Sequence, residues 1–226
     1  MRTRLAFRPP LAAALALMMA APAVQAHPHE FVEARLILRF DAAGALERIG
    51  VEWRYDAFTS MLILSDLGFN PAAETLSLEE EAELAGFDTN WQPGYEGDLW
   101  PFFDEQPIPL GPPEDAQARL DDGQIVSQHW RDVQAGIDPG AGDLVVQVYD
   151  PEFYVSYTIS HESLVEGRAD CRLRFFGPDL AAAEERLQQA LDELLAEGMS
   201  DLEANFPAVG RDFAEEVRLD CAPLPE

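Results

Sequence analysis

Residues 31–55 read FVEARLILRFDAAGALERIGVEWRY, and this stretch decides the fold class. Apolar residues take every second position over 32–40 and again over 49–55, and most of the positions between them are charged: Glu33, Arg35, Arg39, Glu52 and Arg54. A period of two is typical of strands that bury one face. Residues 41–44, Asp-Ala-Ala-Gly, supply a turn between the two runs. The stretch therefore predicts a β-hairpin.

The rest of the chain adds strands and helices to this hairpin. Strands are predicted at 125–133, 144–149, 153–159 and 171–176. Helices are predicted over 57–67, from Ser77 to Leu84 behind a capping box, from Asp179 to Gly198, and over 200–205. Residues 91–113, rich in Pro, Gly and aromatic residues, are predicted to be loop with short strands. The predicted class is α+β, a mainly antiparallel meandering sheet with covering helices, one of them amphipathic and C-terminal.

The first 26 residues have the layout of a secretory signal peptide. Three arginines precede an uncharged apolar run over 11–23, and Val24-Gln25-Ala26 offers a cleavage site. The alternative, a transmembrane anchor, needs about 20 apolar residues, more than this run provides. Cleavage after Ala26 would leave residues 27–226 as one α+β domain, or as two closely packed lobes. We expect a periplasmic protein that is not inserted in the membrane after processing.

The chain after residue 26 is strongly acidic. The protein has 15 basic and 42 acidic residues, and the three leader arginines leave 12 against 42, a formal charge of −30. This charge argues against nucleic acid as a partner. It could attract cations, or it could serve solubility or life in a salty environment.

The two cysteines, Cys171 and Cys221, both follow the leader. In an oxidising compartment the expected outcome is a disulfide between them. The alternative is a metal site built on two thiolates, although their spacing matches no zinc or redox motif.

Cleavage after Ala26 would also create a set of metal-binding nitrogens. His27 would carry a free α-amine and an imidazole, and His29 adds a second imidazole on the same side of an extended chain. Such donors suit copper, nickel, cobalt or zinc, with copper(II) favoured intrinsically. Pro28 has no N–H, which excludes the square-planar site that uses amide nitrogens. The predicted site is a histidine brace at His27 and His29, and the alternative is a solvated terminus that binds nothing.

No motif indicates catalysis. The chain has no Gly-x-Ser-x-Gly elbow, no His-Glu-x-x-His and no glycine-rich phosphate loop. His129 and His161 stand alone in or beside predicted strands, where a structural or surface role is the more common one. The carboxylates at 96–98 and 104–105 could bind a cation, but carboxylates in loops are usually solvated, and we expect that here. We therefore expect a protein that is not an enzyme.

Four segments resemble the bacterial domain-of-unknown-function family 1007. They are HPHEFVEA at 27–34, WRYDAFTS at 53–60, WQPGYEGDLW at 91–100 and YDPEFYV at 149–155. The similarity covers nearly all of the chain after residue 26. It implies a periplasmic component of an uncharacterised ABC-type transport system, associated with nickel/cobalt-type permeases. It also implies a role in metal homeostasis, with His27 and His29 as the positions that carry over.

Two functions follow as hypotheses. In the first, the protein is a transition-metal-binding accessory of a transport system and gives its ion to an inner-membrane metal permease or ABC-type transporter. In the second, it is an adaptor or structural subunit of such a transporter and holds no metal. A third hypothesis is oxidative copper chemistry at the brace, but nothing in the sequence identifies a surface that would bind a substrate.

Overall fold

A computed structural model describes residues 27–87, 89–92, 95–202 and 204–223. Eleven strands in these residues form two sheets. The strands are β1 (Glu30–Phe40), β2 (Leu46–Tyr55), β3 (Leu99–Phe103), β4 (Gln106–Pro107), β5 (Leu110–Asp121), β6 (Gln124–Ile137), β7 (Leu144–Val148), β8 (Val155–Ile159), β9 (Leu164–Glu166), β10 (Arg172–Phe176) and β11 (Glu216–Asp220). The predicted signal peptide, residues 1–26, lies outside the described residues.

The predicted hairpin forms the inner part of the larger sheet. The order of that sheet is β5-β6-β2-β1-β8, and β9 also pairs with β1. The smaller sheet has the order β10-β11-β7-β3-β4. Most pairings are antiparallel, which confirms the predicted class, but β1 runs parallel to both β8 and β9. The residues just before β1 therefore lie beside the residues just before β8.

The hairpin pattern is confirmed in detail. β1 and β2 pair antiparallel from Val32 opposite Tyr55 to Phe40 opposite Leu46. The alternating apolar positions of β1 are at most 5% exposed: Val32, Ala34, Leu36, Leu38 and Phe40. They belong to one core cluster that also contains Leu144, Val146 and Val217 of the smaller sheet. Burial of the Val, Leu and Phe side chains of this cluster, at about 1.5–3 kcal/mol each, is the main favourable contribution to folding.

Three α-helices and a short 3-10 helix (Gly210–Phe213) complete the described residues, and the three α-helices were predicted. The first, α1 (Ala57–Asp66), is capped by Asp56, whose carboxylate accepts the N–H of Phe58 at 2.8 Å and of Thr59 at 3.1 Å. The second, α2 (Leu78–Phe87), follows the predicted capping box, with the Ser77 N–H donating to Glu80 at 2.8 Å. It continues past Leu84, the predicted end, because Leu84 itself and the residue after it are buried.

The third helix, α3 (Leu180–Ala196), is the predicted amphipathic C-terminal helix. Asp179 caps its start by accepting the Ala182 N–H at 3.1 Å. It ends before Gly198, whose φ of 85° is the left-handed conformation that favours glycine at helix ends. The helix predicted over 200–205 is wrong. Residues 200–202 and 204–205 form no helix, and the Asp201 carboxylate instead accepts the Ala204 N–H at 3.1 Å in a local turn.

Cys171 and Cys221 form the predicted disulfide. They flank β10 and β11, which are antiparallel neighbours. Beside them, the buried Arg168 makes ion pairs with Asp138 at 3.3 Å and with Asp170 at 2.6 Å. The disulfide and this arginine fix the end of the smaller sheet.

Strand β5 was not predicted, because its sequence has features that are rare in strands. It contains two prolines, and Asp115 has a φ of 54°. Its pairing with β6 shifts register twice, which indicates bulges that accommodate these residues. Two short strands, β9 and β11, were also missed.

No helix among the described residues is both long and apolar enough to cross a membrane.

Candidate functional site

Residues 27–29 lie against the end of the larger sheet, beside the start of β8. The His29 N–H donates to the Tyr154 carbonyl oxygen at 2.8 Å, and the Glu30 N–H donates to the same oxygen at 3.3 Å. These bonds extend the parallel pairing of β1 with β8, which begins with Glu30 opposite Val155. The segment that the sequence predicts to bind metal is therefore attached to the fold.

The imidazole rings of His27 and His29 lie close together. Their centroids are 4.8 Å apart, and their planes are 80° apart. An ion about 2.0–2.1 Å from a ring nitrogen is about 3.2 Å from the ring centre, so two rings on one square-planar or tetrahedral ion have centres about 4.5–5.2 Å apart. The observed separation falls within that range. His27 is partly buried and His29 is exposed, so an ion can reach the pair.

Two aromatic rings, which we call the aromatic frame, hold these imidazoles. Phe206 stacks on His27 with centroids 3.7 Å apart and planes 6° apart. Tyr154 stacks on His29 at 4.5 Å and 20°, and it also meets the edge of His27 at 5.9 Å. Each imidazole therefore has an aromatic ring against one face.

Tyr154 owes its position to the turn at Asp150. One carboxylate oxygen of Asp150 accepts the N–H of Tyr154 at 2.7 Å and of Val155 at 3.1 Å, and the other accepts the N–H of Glu152 at 3.1 Å. A side chain that accepts hydrogen bonds from the backbone a few residues ahead is typical of a tight, rigid turn. The turn places Tyr154 beside β1 before β8 begins.

The segment that follows Phe206 is attached to the same turn. The Gly210 N–H donates to the Pro151 carbonyl at 2.9 Å, four residues after Phe206. A Cβ at Gly210 would overlap the Asp150 carbonyl oxygen, so only glycine permits this approach. The Asp150–Pro151 turn therefore binds Tyr154 directly and the segment after Phe206 through Gly210.

Carboxylates make this end of the sheet electronegative. Glu30 is half-buried, and its burial together with Asp56 and Asp150 raises the pKa of its carboxyl group, while His29 acts in the opposite direction. The pKa of Asp56 is affected first by burial, which raises it, but hydrogen bonds from Thr59, Phe58 and Phe31 lower it overall. Negative charge near the imidazole pair favours a cation there.

The side chains alone do not make a complete metal site. Among the described residues, no group of three or more His, Cys, Asp or Glu side chains could hold a metal ion. Two imidazoles need at least one more donor, and the α-amine of His27 is the donor that cleavage after Ala26 would supply. The donor set therefore fits a transition metal only in the processed chain.

His129 lies in a different environment. It is 1% exposed on β6, and its ring meets Trp53 at 5.4 Å and Trp91 at 5.3 Å, both edge-on. Its Nε2 is buried and has no hydrogen-bond partner in the described part of the chain. Burial, and secondarily the charge of Arg131, lower the pKa of His129 to about 4. The ring is therefore neutral at pH 7 and closed to solvent.

The other candidate positions are also structural or exposed. His161 lies at the surface with its ring 4.4 Å from that of Phe175. Asp98, expected to be a solvated loop carboxylate, is instead 4% exposed and accepts the hydroxyl groups of Tyr95 at 2.8 Å and Tyr157 at 2.9 Å. The sequence prediction for Asp98 was wrong, because the loop that carries it folds over the core.

No motif in the sequence predicts a role for Tyr154, Phe206 or Asp150. Tyr154 and Asp150 belong to a segment that resembles the family, which was the only signal available for them. Phe206 had none, because it reaches His27 only through the tertiary fold.

Comparisons with known proteins give a family and no function. No curated protein matches the chain. The family model described as "Protein of unknown function (DUF1007)" matches residues 12–221. That range covers most of the chain, including the imidazole pair, the aromatic frame and both cysteines. The chain therefore belongs to this family.

Proposed function

We propose that the protein is a periplasmic transition-metal-binding accessory of a metal transport system, and that it holds its ion through His27-Pro28-His29. The observation that carries the proposal is the imidazole pair, 4.8 Å apart, in a segment fixed to the sheet. The segment directly follows the predicted cleavage site, so export would free the amine that completes the ligand set. The resemblance to transport-associated proteins supports delivery of the ion to an inner-membrane metal permease or ABC-type transporter.

Copper, nickel, cobalt and zinc all accept this donor set. Amine and imidazole nitrogens bind copper(II) most strongly by intrinsic affinity. The disulfide between Cys171 and Cys221 supports an oxidising compartment and removes both thiols as ligands.

The direct test compares two forms of the protein. One begins at His27, as verified by mass spectrometry, and the other carries one alanine before His27. Each is titrated with copper(II), nickel(II), cobalt(II) and zinc(II) in competition with a chelator of known affinity. The form that begins at His27 should bind at least one ion, and the extended form should bind it far more weakly. Equal affinity in both forms would overturn the role of the amine.

A second function, an adaptor that binds no metal, is favoured by two exposed aromatic residues. Phe31 is 55% exposed and Phe58 is 63% exposed. Both backbone N–H groups bind the Asp56 carboxylate, so the two residues are neighbours, close to His29 in the chain. The titration decides between the functions, because a processed protein that binds none of the four ions leaves the adaptor as the explanation.

A further inference from the structure

We propose that Phe206 and Tyr154 are positioning residues that hold the imidazoles of His27 and His29 at the spacing of a metal site before any ion binds. The inference rests on the proposed function and adds a mechanism for its affinity. It assigns a role to two residues that donate nothing to a metal.

His27 is the ligand that most needs an external support. After cleavage it is the terminal residue, so Pro28 alone joins it to the chain. A terminal side chain without contacts would sample many rotamers. The entropy lost when a metal ion fixes such a side chain would weaken binding. Phe206 supplies the contact, since its ring lies parallel to the imidazole with centroids 3.7 Å apart.

His29 is supported by both parts of Tyr154. The carbonyl oxygen of Tyr154 accepts the His29 N–H at 2.8 Å, and its ring stacks on the imidazole at 4.5 Å. The same ring meets the edge of His27 at 5.9 Å. One tyrosine therefore fixes the backbone of one ligand and touches the rings of both.

The frame can position the ligands only if it is rigid, and its anchors make it so. Tyr154 is held through its N–H by Asp150, and the segment after Phe206 is held through Gly210 by the Pro151 carbonyl. Nearby, Phe153 stacks on Phe213 with centroids 4.3 Å apart, which joins the same two segments a second time. Supporting groups of this kind commonly change metal affinity about 10- to 100-fold.

The test uses the protein that begins at His27, with two substitutions at each position. Phe206→Ala and Tyr154→Ala remove the rings, whereas Phe206→Tyr and Tyr154→Phe keep them. Tyr154→Ala leaves the backbone bonds to Asp150 and His29 possible, because they use only main-chain groups of residue 154. Phe87→Ala, at an exposed phenylalanine of α2, is the matched control.

Copper(II) affinity is measured by chelator competition, and copper(II) EPR reports the ligand geometry. Both alanine variants should bind about 10- to 100-fold more weakly with altered EPR parameters, while the ring-keeping variants and Phe87→Ala behave as wild type. Circular dichroism and melting temperature show that each variant is folded. In the metal-free protein, NMR should show the His27 ring protons shifted upfield by Phe206, and this shift should vanish in Phe206→Ala.

The outcomes separate the two claims. If the wild type binds copper(II) and the folded alanine variants bind it equally well, the frame has no positioning role and the proposed function stands. An absent upfield shift in the wild type would also overturn the positioning role. If the wild type binds none of the four ions, the proposed function fails and the inference fails with it.

Discussion

His29 and His129 both pack against aromatic rings, yet they are suited to opposite purposes. His29 is exposed, has a second imidazole 4.8 Å away and has a stacking partner on one face. His129 is enclosed between two tryptophans and stands beside the positive charge of Arg131. Aromatic contact alone therefore does not identify a binding histidine. Access and a second nitrogen donor distinguish the candidate ligand from the structural residue.

The largest expected difference between the two histidines is in metal binding. His29→Ala should weaken the binding of copper(II) by more than about 100-fold, because loss of a ligand should exceed the effect of losing a support for one. His129→Leu should leave the affinity unchanged. Chelator competition on both processed variants measures this, and a comparable loss in His129→Leu would abolish the distinction.

The next effect is the part of the pH dependence of the unfolding free energy that comes from His129. Its pKa is 6.5 when exposed and about 4 in the folded protein, so below pH 6.5 the unfolded chain binds a proton that the folded chain refuses. Above pH 6.5 the imidazole is neutral in both states and costs no stability. As the pH falls towards 4, protonation of the unfolded chain lowers the free energy of unfolding by about 3 kcal/mol in total. Urea unfolding between pH 7 and pH 4 should show this loss in the wild type and a smaller one in His129→Leu. If the free energy of unfolding fell equally steeply with pH in the wild type and in His129→Leu, His129 would not be buried as described.

A smaller effect should follow from opening the enclosure. Trp91 packs over Gly97, faces His129 and lies 4.8 Å from the Arg131 guanidinium. Trp91→Ala should raise the pKa of His129 from about 4 towards 6.5, because water reaches the ring. It should also destabilise the fold by about 2 kcal/mol through lost burial. NMR titration of the imidazole gives the pKa, and an unchanged value would show that Trp91 does not close the site.

The smallest effect concerns the charge beside the imidazole pair. Glu30→Gln removes a carboxylate that interacts with His29 and should weaken copper(II) binding by no more than about fivefold, since half-exposed charges are screened by solvent. The difference between Glu30→Gln and the wild type should shrink as salt is added. A loss above about 100-fold that persists in high salt would instead make Glu30 a ligand.

The elements that could be predicted from the sequence are those with a regular spacing of apolar residues. The alternation in β1 and β2 and the stripe of α3 follow from one buried face each, and the disulfide followed from there being two cysteines. Strand β5 was missed because Asp115 and the prolines interrupt the alternation of apolar and polar residues. Its pairing with β6 stabilises the strand despite these unfavourable residues. The parallel pairing of β1 with β8 joins segments far apart in the chain, so no local pattern indicates it.

The candidate site divides in the same way. His27, His29 and the effect of Pro28 were apparent from residue type and spacing. The aromatic frame was not, because Phe206 and Tyr154 approach the histidines from two separate segments. The helix wrongly predicted over 200–205 would end next to Phe206, but the described residues there are not helical, and Phe206 packs against the His27 ring.

The parallel pairing also sets when the site can exist during synthesis. His29 is made early, but Tyr154 follows it by 125 residues, from 29 to 154. Phe206 comes later still, and contacts between such distant segments form late because a long loop must close first. An incomplete chain carries both histidines but not their support. The chain would therefore bind an ion with full affinity only after it has finished folding.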